Sequence, residues 1–305
     1  MSANYPPICD YEGSDYRTRF WAGQGRTYED QVERIALRRL MPPTGETLIE
    51  IGAGFGRLAD EYQGYQTVVL FDYSRSLLRE AQSHLADLDP TGTRFKYVAG
   101  NWYTLPFVSG LFDTMVQVRT LHHAADVPTL FDQLARIARP GGRFVLEFAN
   151  KQNLKAIARH TLGQQSWSPY TLEPVEFVRL NFDFHPRWIR ANLLAAGFHP
   201  GRMLTVSHFR LQPLKRLLPT GLLVNIDKYI QSTGRWWQLT PSVFTASDHP
   251  IGGAVAPENA FFACPQCQTP LNDVPPGIAA VLLICSGCAR QWSYEQGLYD
   301  FKSPA

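Results

Sequence analysis

A glycine-rich turn directly after an apolar run is the first segment of this chain that is suited to bind a ligand. The turn consists of Glu50, Ile51, Gly52, Ala53, Gly54, Phe55 and Gly56. Glycines let the backbone bend sharply and lie against a ligand, while the amides that open a following helix face that ligand. A dinucleotide fingerprint would need a further glycine where this chain has Arg57. The turn therefore predicts a binding site of another kind, with a purely structural turn as the alternative.

Four cysteines near the C-terminal end form a second chemical group. They are arranged as two C-x-x-C pairs, Cys264 with Cys267 and Cys285 with Cys288. This spacing is typical of a zinc ribbon in which four thiolates hold a structural Zn²⁺. Disulfides in an exported protein are the alternative, and Cys9 is left as an unpaired thiol. Residues 264–305 are too few to hold a core without a metal.

Short apolar runs alternate with helical stretches from Thr47 onward, which predicts the elements that would position these groups. The runs read TLIEI, TVVLF, RFKYV, DTMVQV and RFVLEF. Helices are predicted over 57–62, 74–86, 128–138 and from about Lys151, with an earlier helix over Thr27 to Met41. Strands separated by helices indicate an α/β fold with a doubly wound, Rossmann-like sheet.

Later segments are less regular. A helix over 186–196 and two strands, RMLTVSHF and PSVFTAS, are separated by an insertion over 211–237 that we expect to cover a substrate pocket. We divide the chain into a lid and helix (1–46), a main domain (47–247, with a cofactor half 47–150 and a substrate half 151–247), a linker (248–263) and the ribbon (264–305).

Polar and aromatic residues follow two more of the predicted strands. Asp72 and Tyr73 end the second strand, and Asn101 and Trp102 follow the third. Ligands of open α/β sheets bind at the carboxyl ends of the strands. There Asp72 can accept hydrogen bonds from both hydroxyls of a ribose, Tyr73 can lie against an adenine, and Asn101 can pair with the adenine edge. Together with the glycine turn, these groups suit one nucleoside.

The run from about residue 47 to 150 resembles the class I methyltransferases of the UbiE and type 11 kind. Five segments match in order: EIGAGFG, FDYS, GNWYTLPF, FDTMVQVRTLHHAAD and RPGGRFVLEF. The family commonly has Asp where this chain has Asn101. An amide keeps an acceptor oxygen for the adenine amino group.

This resemblance implies a seven-stranded sheet whose last strand is antiparallel, with S-adenosylmethionine bound across its switch point. It implies that the cofactor is bordered by Glu50, Gly52, Gly54, Asp72, Asn101 and Arg119. The N-terminal segment, with Tyr16, Trp21, Arg26 and Tyr28, resembles the lid of such enzymes, and Arg26 is placed to meet the methionine carboxylate.

Methyl transfer from a sulfonium needs alignment more than it needs catalytic side chains. Where the acceptor is a hydroxyl, a phenol or an activated carbon, a base helps. His122 and His123 follow the fourth strand and Asn150 ends the fifth, so these residues are the candidates. The alternative for the histidines is that they shape the pocket.

Charge is unevenly distributed along the chain. Residues 150–240 hold twelve Lys or Arg against four acids, although the net charge of the whole chain is only +2. We expect a small organic or lipid-like acceptor, with RNA methylation as one alternative and a non-catalytic cofactor-binding partner subunit as another. The ribbon is expected to stabilise the fold or to dock a protein partner. No export signal or transmembrane segment is evident, which predicts a soluble, cytoplasmic protein.

Overall fold

A ten-stranded mixed sheet forms the centre of the fold. The computed structural model describes residues 5–14, 25–275 and 277–304. The strands of the sheet are β1 (Gly45–Ile51), β2 (Tyr65–Asp72), β3 (Phe95–Ala99), β4 (Phe112–Gln117), β5 (Ala138–Ala149), β8 (His199–Val206), β9 (Ser242–Asp248), β12 (Ala280–Ile284), β13 (Gln291–Glu295) and β14 (Leu298–Asp300). Two short hairpins lie outside it, β6 (Val175–Val178) with β7 (Asn181–Asp183) and β10 (Phe262–Ala263) with β11 (Pro270–Leu271).

Seven of these strands have the predicted arrangement. They lie in the order β3, β2, β1, β4, β5, β9, β8. Strands β1 to β5 are parallel, whereas β9 is antiparallel to both of its neighbours. The chain reverses its direction of winding between β1 and β4, so a crevice opens there at the carboxyl ends of the strands.

Helices cover both faces of the sheet. They are α1 (Thr27–Leu40), α2 (Arg75–His84), α3 (Val127–Ile137), α4 (Leu154–Thr161), α5 (Pro186–Ala195), α6 (Gln212–Leu217) and α7 (Thr220–Ile230). None of the helices in the described part of the chain is long and apolar enough to cross a membrane. The central strands are buried on both faces, which is why they are almost continuously apolar in sequence.

The prediction of an α-helix over 57–62, directly after the glycine turn, is wrong. Only a 3₁₀ turn, Ala59–Tyr62, stands there, because β2 already begins at Tyr65. No helix N-terminus therefore faces the site at this point, and the turn must act through its own backbone.

The C-terminal strands extend the main sheet instead of forming a separate small one. Strand β14 pairs in parallel with β3, with Tyr299 opposite Val98. The end of the predicted linker is also part of the core, since Phe262 is fully buried and its ring packs 5.8 Å from that of Phe107. The ribbon is thus continuous with the main domain.

The insertion after β8 packs against α1. Tyr28 donates a hydrogen bond to Asp227 (Oη to Oδ2, 2.5 Å), and the side-chain amide of Gln231 donates to the carbonyl of Val32 (3.0 Å). Both Asp227 and Gln231 are fully buried, so these bonds fix the insertion to the first helix.

Candidate active site

A cleft lies at the carboxyl ends of β1 to β4, where the sequence predicts the ligand. It is lined by Ile8, Cys9, Tyr11, Glu50, Gly52, Ala53, Gly54, Phe55, Arg57, Phe71, Asp72, Tyr73, Leu77, Gly100, Trp102, Val118, Arg119, Thr120 and His123. Most of the predicted cofactor-binding residues are in this set. Gly56, Asn101 and Arg26 are not.

The glycine turn is shaped by close backbone approach. Gly52 has a φ of +73°, and a Cβ added there would lie 2.3 Å from Cγ2 of Thr120. The amides of Gly52 and Ala53 both donate to the carbonyl of Phe71, which ties the turn to β2 (2.8 and 3.0 Å). Gly54 also has a positive φ, +55°, but a Cβ there would meet nothing within 4 Å. The turn therefore presents open backbone to the cleft at Gly54.

Asp72 joins the turn to the start of α2. Its Oδ2 accepts from the Gly54 amide and its Oδ1 from the Ser74 amide, both at 2.8 Å. Burial raises the pKa of Asp72 above its ordinary value, although these two amides act in the opposite direction. The carboxylate is thereby held in one orientation, with lone pairs left for a ribose.

Glu50 is the most unusual acid in the cleft. Glu50 is 3% exposed, and within the described residues its Oε2 makes no hydrogen bond of normal geometry, although the nearby hydroxyl of Tyr62 acts to lower its pKa. Burial raises the pKa of Glu50 to about 8, against the nearby positive charge of Arg57. A buried, unpartnered carboxyl oxygen needs a donor or a cation, and a ligand would supply it. The indole Nε1 of Trp102 is also buried, and within the described residues only the neighbouring hydroxyl of Tyr103 acts on it.

Two arginines of the cleft are held by one acid on α1. Glu33 is 1% exposed; it accepts from Arg119 Nε at 2.7 Å and from Arg57 Nη2 at 3.1 Å. Burial alone would raise the pKa of Glu33, but the two arginines outweigh it and hold that pKa below its usual range. Glu33 is not among the residues predicted from the sequence, because its position in the helix gives no sign that it is buried.

His123 lines the cleft with both ring nitrogens engaged. Its Nδ1 lies 2.9 Å from the carbonyl of Leu180, and its Nε2 lies 3.1 Å from the hydroxyl of Tyr11. Because a carbonyl only accepts, Nδ1 carries the proton and Nε2 accepts from Tyr11. Burial lowers the pKa of His123 and keeps the ring neutral. His122 is not among the lining residues, and burial holds its pKa well below 6.5.

The side chains of Asn150 and Asn101 make hydrogen bonds to nearby backbone groups. The amide nitrogen of Asn150 donates to the carbonyls of Gln238 and Thr240 (2.9 and 2.8 Å), and its oxygen accepts from the Gln152 amide (2.9 Å). We therefore do not retain Asn150 as a catalytic group. The side-chain oxygen of Asn101 accepts from the Tyr103 amide at 2.8 Å and keeps a second lone pair.

The predicted lid lies only in part within the described residues. Tyr16 and Trp21 lie outside them, and Arg26 directly precedes α1, away from the cleft lining. Residues 8–11 do border the cleft, and Glu12 accepts from the amides of Arg75 and Ser76 (2.7 and 2.9 Å). The N-terminal segment is thus fixed to α2, beside Tyr73.

A second and larger pocket of about 1100 Å³ lies on the side of the insertion. It is lined by Asn153, Leu154, Lys155, Ala156, Arg159, Gln165, Trp167, Phe177, Asp183, Thr205, Ser207, His208, Phe209, Arg210, Leu211, Ile230, Thr233, Trp237, Leu239, Thr240 and Pro241. Arg210 of this pocket is close enough to Glu33 and Arg119 for their charges to influence its pKa.

The four cysteine sulfurs meet in one cluster, all within 4.8 Å of one another. Cys264 Sγ lies 3.6 Å from Cys288 Sγ, and Cys267 Sγ lies 3.4 Å from Cys285 Sγ. Each pair closes a similar turn: the amide four residues after the first cysteine donates to the carbonyl of that cysteine, at 2.8 Å in both turns. Tetrahedral zinc with bonds of ~2.3 Å to sulfur would separate the sulfurs by about 3.8 Å, so the cluster suits this metal.

Comparison with known proteins agrees with this geometry. A family model described as a methyltransferase domain matches residues 49–146. The O-methyltransferase resE of Aspergillus sclerotiorum is 29% identical over 45% of this chain and 56% of its own length. A demethylmenaquinone methyltransferase of Clavibacter sepedonicus is 29% identical over 38% of this chain and 47% of its own. The chain thus spans about half the length of these curated relatives.

A solved structure shares the fold over a longer stretch. A methyltransferase from Haloferax volcanii, solved in complex with the methyltransferase activator Trm112, superposes with a TM-score of 0.52 at 17% identity. The match covers 77% of this chain and 98% of that one. Residues 49–146 therefore match a methyltransferase domain, and the strand order is that of the class I methyltransferase fold.

Proposed function

We propose that the protein is an enzyme that transfers a methyl group from S-adenosylmethionine to a small organic or lipid-like molecule. The observation that carries this proposal is the pair of acids in the cleft. Asp72 is oriented by two backbone amides, and Glu50 has a buried oxygen that makes no hydrogen bond within the described part of the chain. Asp72 suits the ribose hydroxyls of S-adenosylmethionine, and Glu50 suits its positively charged end.

The residues present fit this cofactor. The space beside Gly54 is empty, and the ring of Tyr73 lines the cleft next to Asp72. The indole Nε1 of Trp102 can donate a hydrogen bond to a ligand. When bound, S-adenosylmethionine supplies an electrophilic methyl group on a positively charged sulfur. Glu50 would offer a carboxylate to the positively charged end of the cofactor, and Ile8, Tyr11 and His123, which line the same cleft, would help to exclude water from it.

Binding and turnover test the proposal separately. Calorimetry with S-adenosylmethionine should detect one site per chain, and labelled cofactor incubated with fractionated extract of the source should yield a labelled small molecule. Asp72→Ala should abolish cofactor binding, while the exposed Asp87→Ala should not. Unchanged affinity in Asp72→Ala would remove the ribose assignment.

We also propose that the cysteine cluster holds one structural zinc ion. The short distances between sulfurs and the two matching turns support this assignment. Each cysteine thiolate would supply one ligand, which leaves no open coordination position for catalysis. The metal would hold the β12 to β14 ribbon against the edge of the main sheet.

A protein partner is the second candidate role for the ribbon. Strand β12 is an edge strand of the main sheet, and its side chains Val281, Leu282 and Ile284 are exposed. The Haloferax volcanii neighbour was solved with an activator protein, which favours the same idea. Replacing Leu282 by Lys should abolish copurification of such a partner and leave cofactor binding unchanged.

The basic region gives no comparable support to RNA methylation. Several of its cations are engaged within the protein: Lys151 is 2% exposed, Lys215 pairs with Glu29 at 2.8 Å, and Arg210 lies inside the second pocket. Retention of RNA by the protein at low salt is the result that would revive this alternative.

A further inference from the structure

The second pocket contains polar atoms that nothing in the protein satisfies. The hydroxyl of Ser207 and the Nε of Arg210 are both buried, and neither has a hydrogen-bond partner within the described residues. Ser207 has a φ of +64°, an uncommon backbone conformation for a residue other than glycine. Two unsatisfied groups in the lining of one cavity indicate a ligand with an oxygen at this point.

An acid lies in the same pocket. Burial raises the pKa of Asp183, the last residue of β7, to about 6. The charge of Glu147 acts in the same direction, whereas those of Arg210 and Lys151 act in the opposite one. The carboxylate is therefore ionised at neutral pH, and its pKa is high enough for it to accept a proton from a substrate.

The remaining wall is apolar and aromatic. Trp167, Phe209 and Leu239 line the cavity, and Leu154, Phe177 and Trp237 are exposed around it. Large exposed apolar side chains that border a cavity mark a binding site for an apolar molecule.

We propose that this pocket binds the methyl acceptor, a bulky and mainly apolar molecule with an acidic hydroxyl group, whose oxygen is held by Arg210 and Ser207 and whose proton is taken by Asp183. The proposal rests on the proposed methyl transfer. In that reaction the acceptor oxygen forms a bond to the methyl carbon while the carbon–sulfur bond breaks, and the bonding pair returns to sulfur. The hydroxyl proton goes to the carboxylate of Asp183 and from there to solvent.

The pocket's position supports this role. Arg119 of the cleft donates to Glu33 at 2.7 Å, and the charges of both residues influence Arg210 of the second pocket. His123 of the cleft is bonded to the carbonyl of Leu180, at the turn of the hairpin that carries Asp183. The hairpin that carries Asp183 is thus bonded to the cleft, and the bonds to Leu180 and Tyr11 engage both ring nitrogens of His123.

The first test compares 2-naphthol with its methyl ether, 2-methoxynaphthalene, in titrations followed by tryptophan fluorescence. We expect the naphthol to bind the unmodified protein about ten- to a hundredfold more tightly, because only it can donate to Asp183. Arg210→Met should reduce this preference to threefold or less, while the exposed Arg187→Met should keep it. Equal binding of both probes to the unmodified protein, or no binding of either, would overturn the proposal.

The second test follows the proton. 2-Naphthol is a photoacid whose emission moves to longer wavelength when its proton passes to a neighbouring base. The bound probe should show this emission in the unmodified protein and in the exposed control Asp132→Asn, but not in Asp183→Asn. Neutral naphthol emission from the unmodified complex would remove Asp183 as the proton acceptor.

Cofactor affinity of each variant, measured by calorimetry, separates the two proposals. We expect it to be unchanged in Arg210→Met and Asp183→Asn. Cofactor binding without probe binding would leave the proposed function standing and overturn the acceptor pocket. Probe binding without cofactor binding would overturn the methyl transfer and, with it, the acceptor role of this pocket.

Discussion

The ammonium of Lys302, near the end of the ribbon, lies 4.0 Å from the centroid of the Tyr73 ring in the cofactor cleft. The same ammonium lies 3.1 Å from a carboxylate oxygen of Asp10, in the N-terminal segment that borders the cleft. Arg75, two residues beyond Tyr73, donates to Asp300 at 2.6 Å. The ribbon thus contacts both the aromatic side chain and the N-terminal segment that border the proposed cofactor site.

Removing this contact should weaken cofactor binding without unfolding the protein. A cation above an aromatic ring contributes about 0.5–2 kcal/mol, so Lys302→Met should raise the dissociation constant for S-adenosylmethionine by about two- to thirtyfold. The exposed Lys228→Met is the matched control. Equal affinities of the two variants in calorimetry would show that the ribbon has no part in cofactor binding.

Removing the metal should also weaken the contact between Lys302 and the Tyr73 ring. We expect about one zinc per chain by elemental analysis and none in Cys285→Ser, because one lost thiolate leaves the site incomplete. A chelator should lower both the melting temperature and the cofactor affinity of the unmodified protein. Cys9→Ser should keep its zinc, since Cys9 is far from the cluster in sequence and lines the cofactor cleft instead. Oxidised cysteines without metal would contradict the assignment.

Cofactor binding near neutral pH should release a proton. Because the pKa of Glu50 is raised to about 8 by burial, this carboxyl is mostly protonated at pH 7. A bound cation favours the ionised form and expels the proton. Calorimetric enthalpies in buffers with different ionisation enthalpies should report this release in the unmodified protein and not in Glu50→Gln. The same release in both proteins would assign the proton to another group.

The same carboxyl should set part of the pH dependence of stability. Its pKa in the unfolded chain is about 4.3, so the folded state binds the proton more tightly. The free energy of unfolding of the cofactor-free protein should therefore fall as pH rises from about 4.3 to about 8. Urea denaturation of Glu50→Gln should show a weaker fall over this range. An identical fall in the two proteins would rule out Glu50 as its source.

Glu33→Gln should destabilise the protein strongly. This buried acid neutralises Arg57 and Arg119, and losing one partner of a buried ion pair costs about 3–5 kcal/mol. Urea denaturation should show this loss, whereas Glu46→Gln, whose pair with Arg139 is exposed, should lose no more than about 1 kcal/mol. Similar stabilities of the two variants would mean that the arginines find other partners.

Local patterns in the sequence were enough to predict the central sheet and the parts of the site that follow its strands. The apolar runs mark strands buried on both faces, and Glu50, Gly54 and Asp72 follow them at the edge where parallel strands end. The cysteine spacing predicted the cluster in the same way, because a C-x-x-C turn brings its own two sulfurs together. Each of these features depends on residues close to one another in the chain.

Tertiary packing decided the features that join distant segments. The pairing of β14 with β3, the burial of Glu33 between two arginines, and the convergence of Asp183, Ser207 and Arg210 all depend on which faces meet. It also gave the side chains of Asn101 and Asn150 hydrogen bonds to nearby backbone groups, which the sequence did not predict. The sequence shows which side chains can do chemistry, but burial and competing partners, which only the folded chain sets, decide which of them remain available to do it.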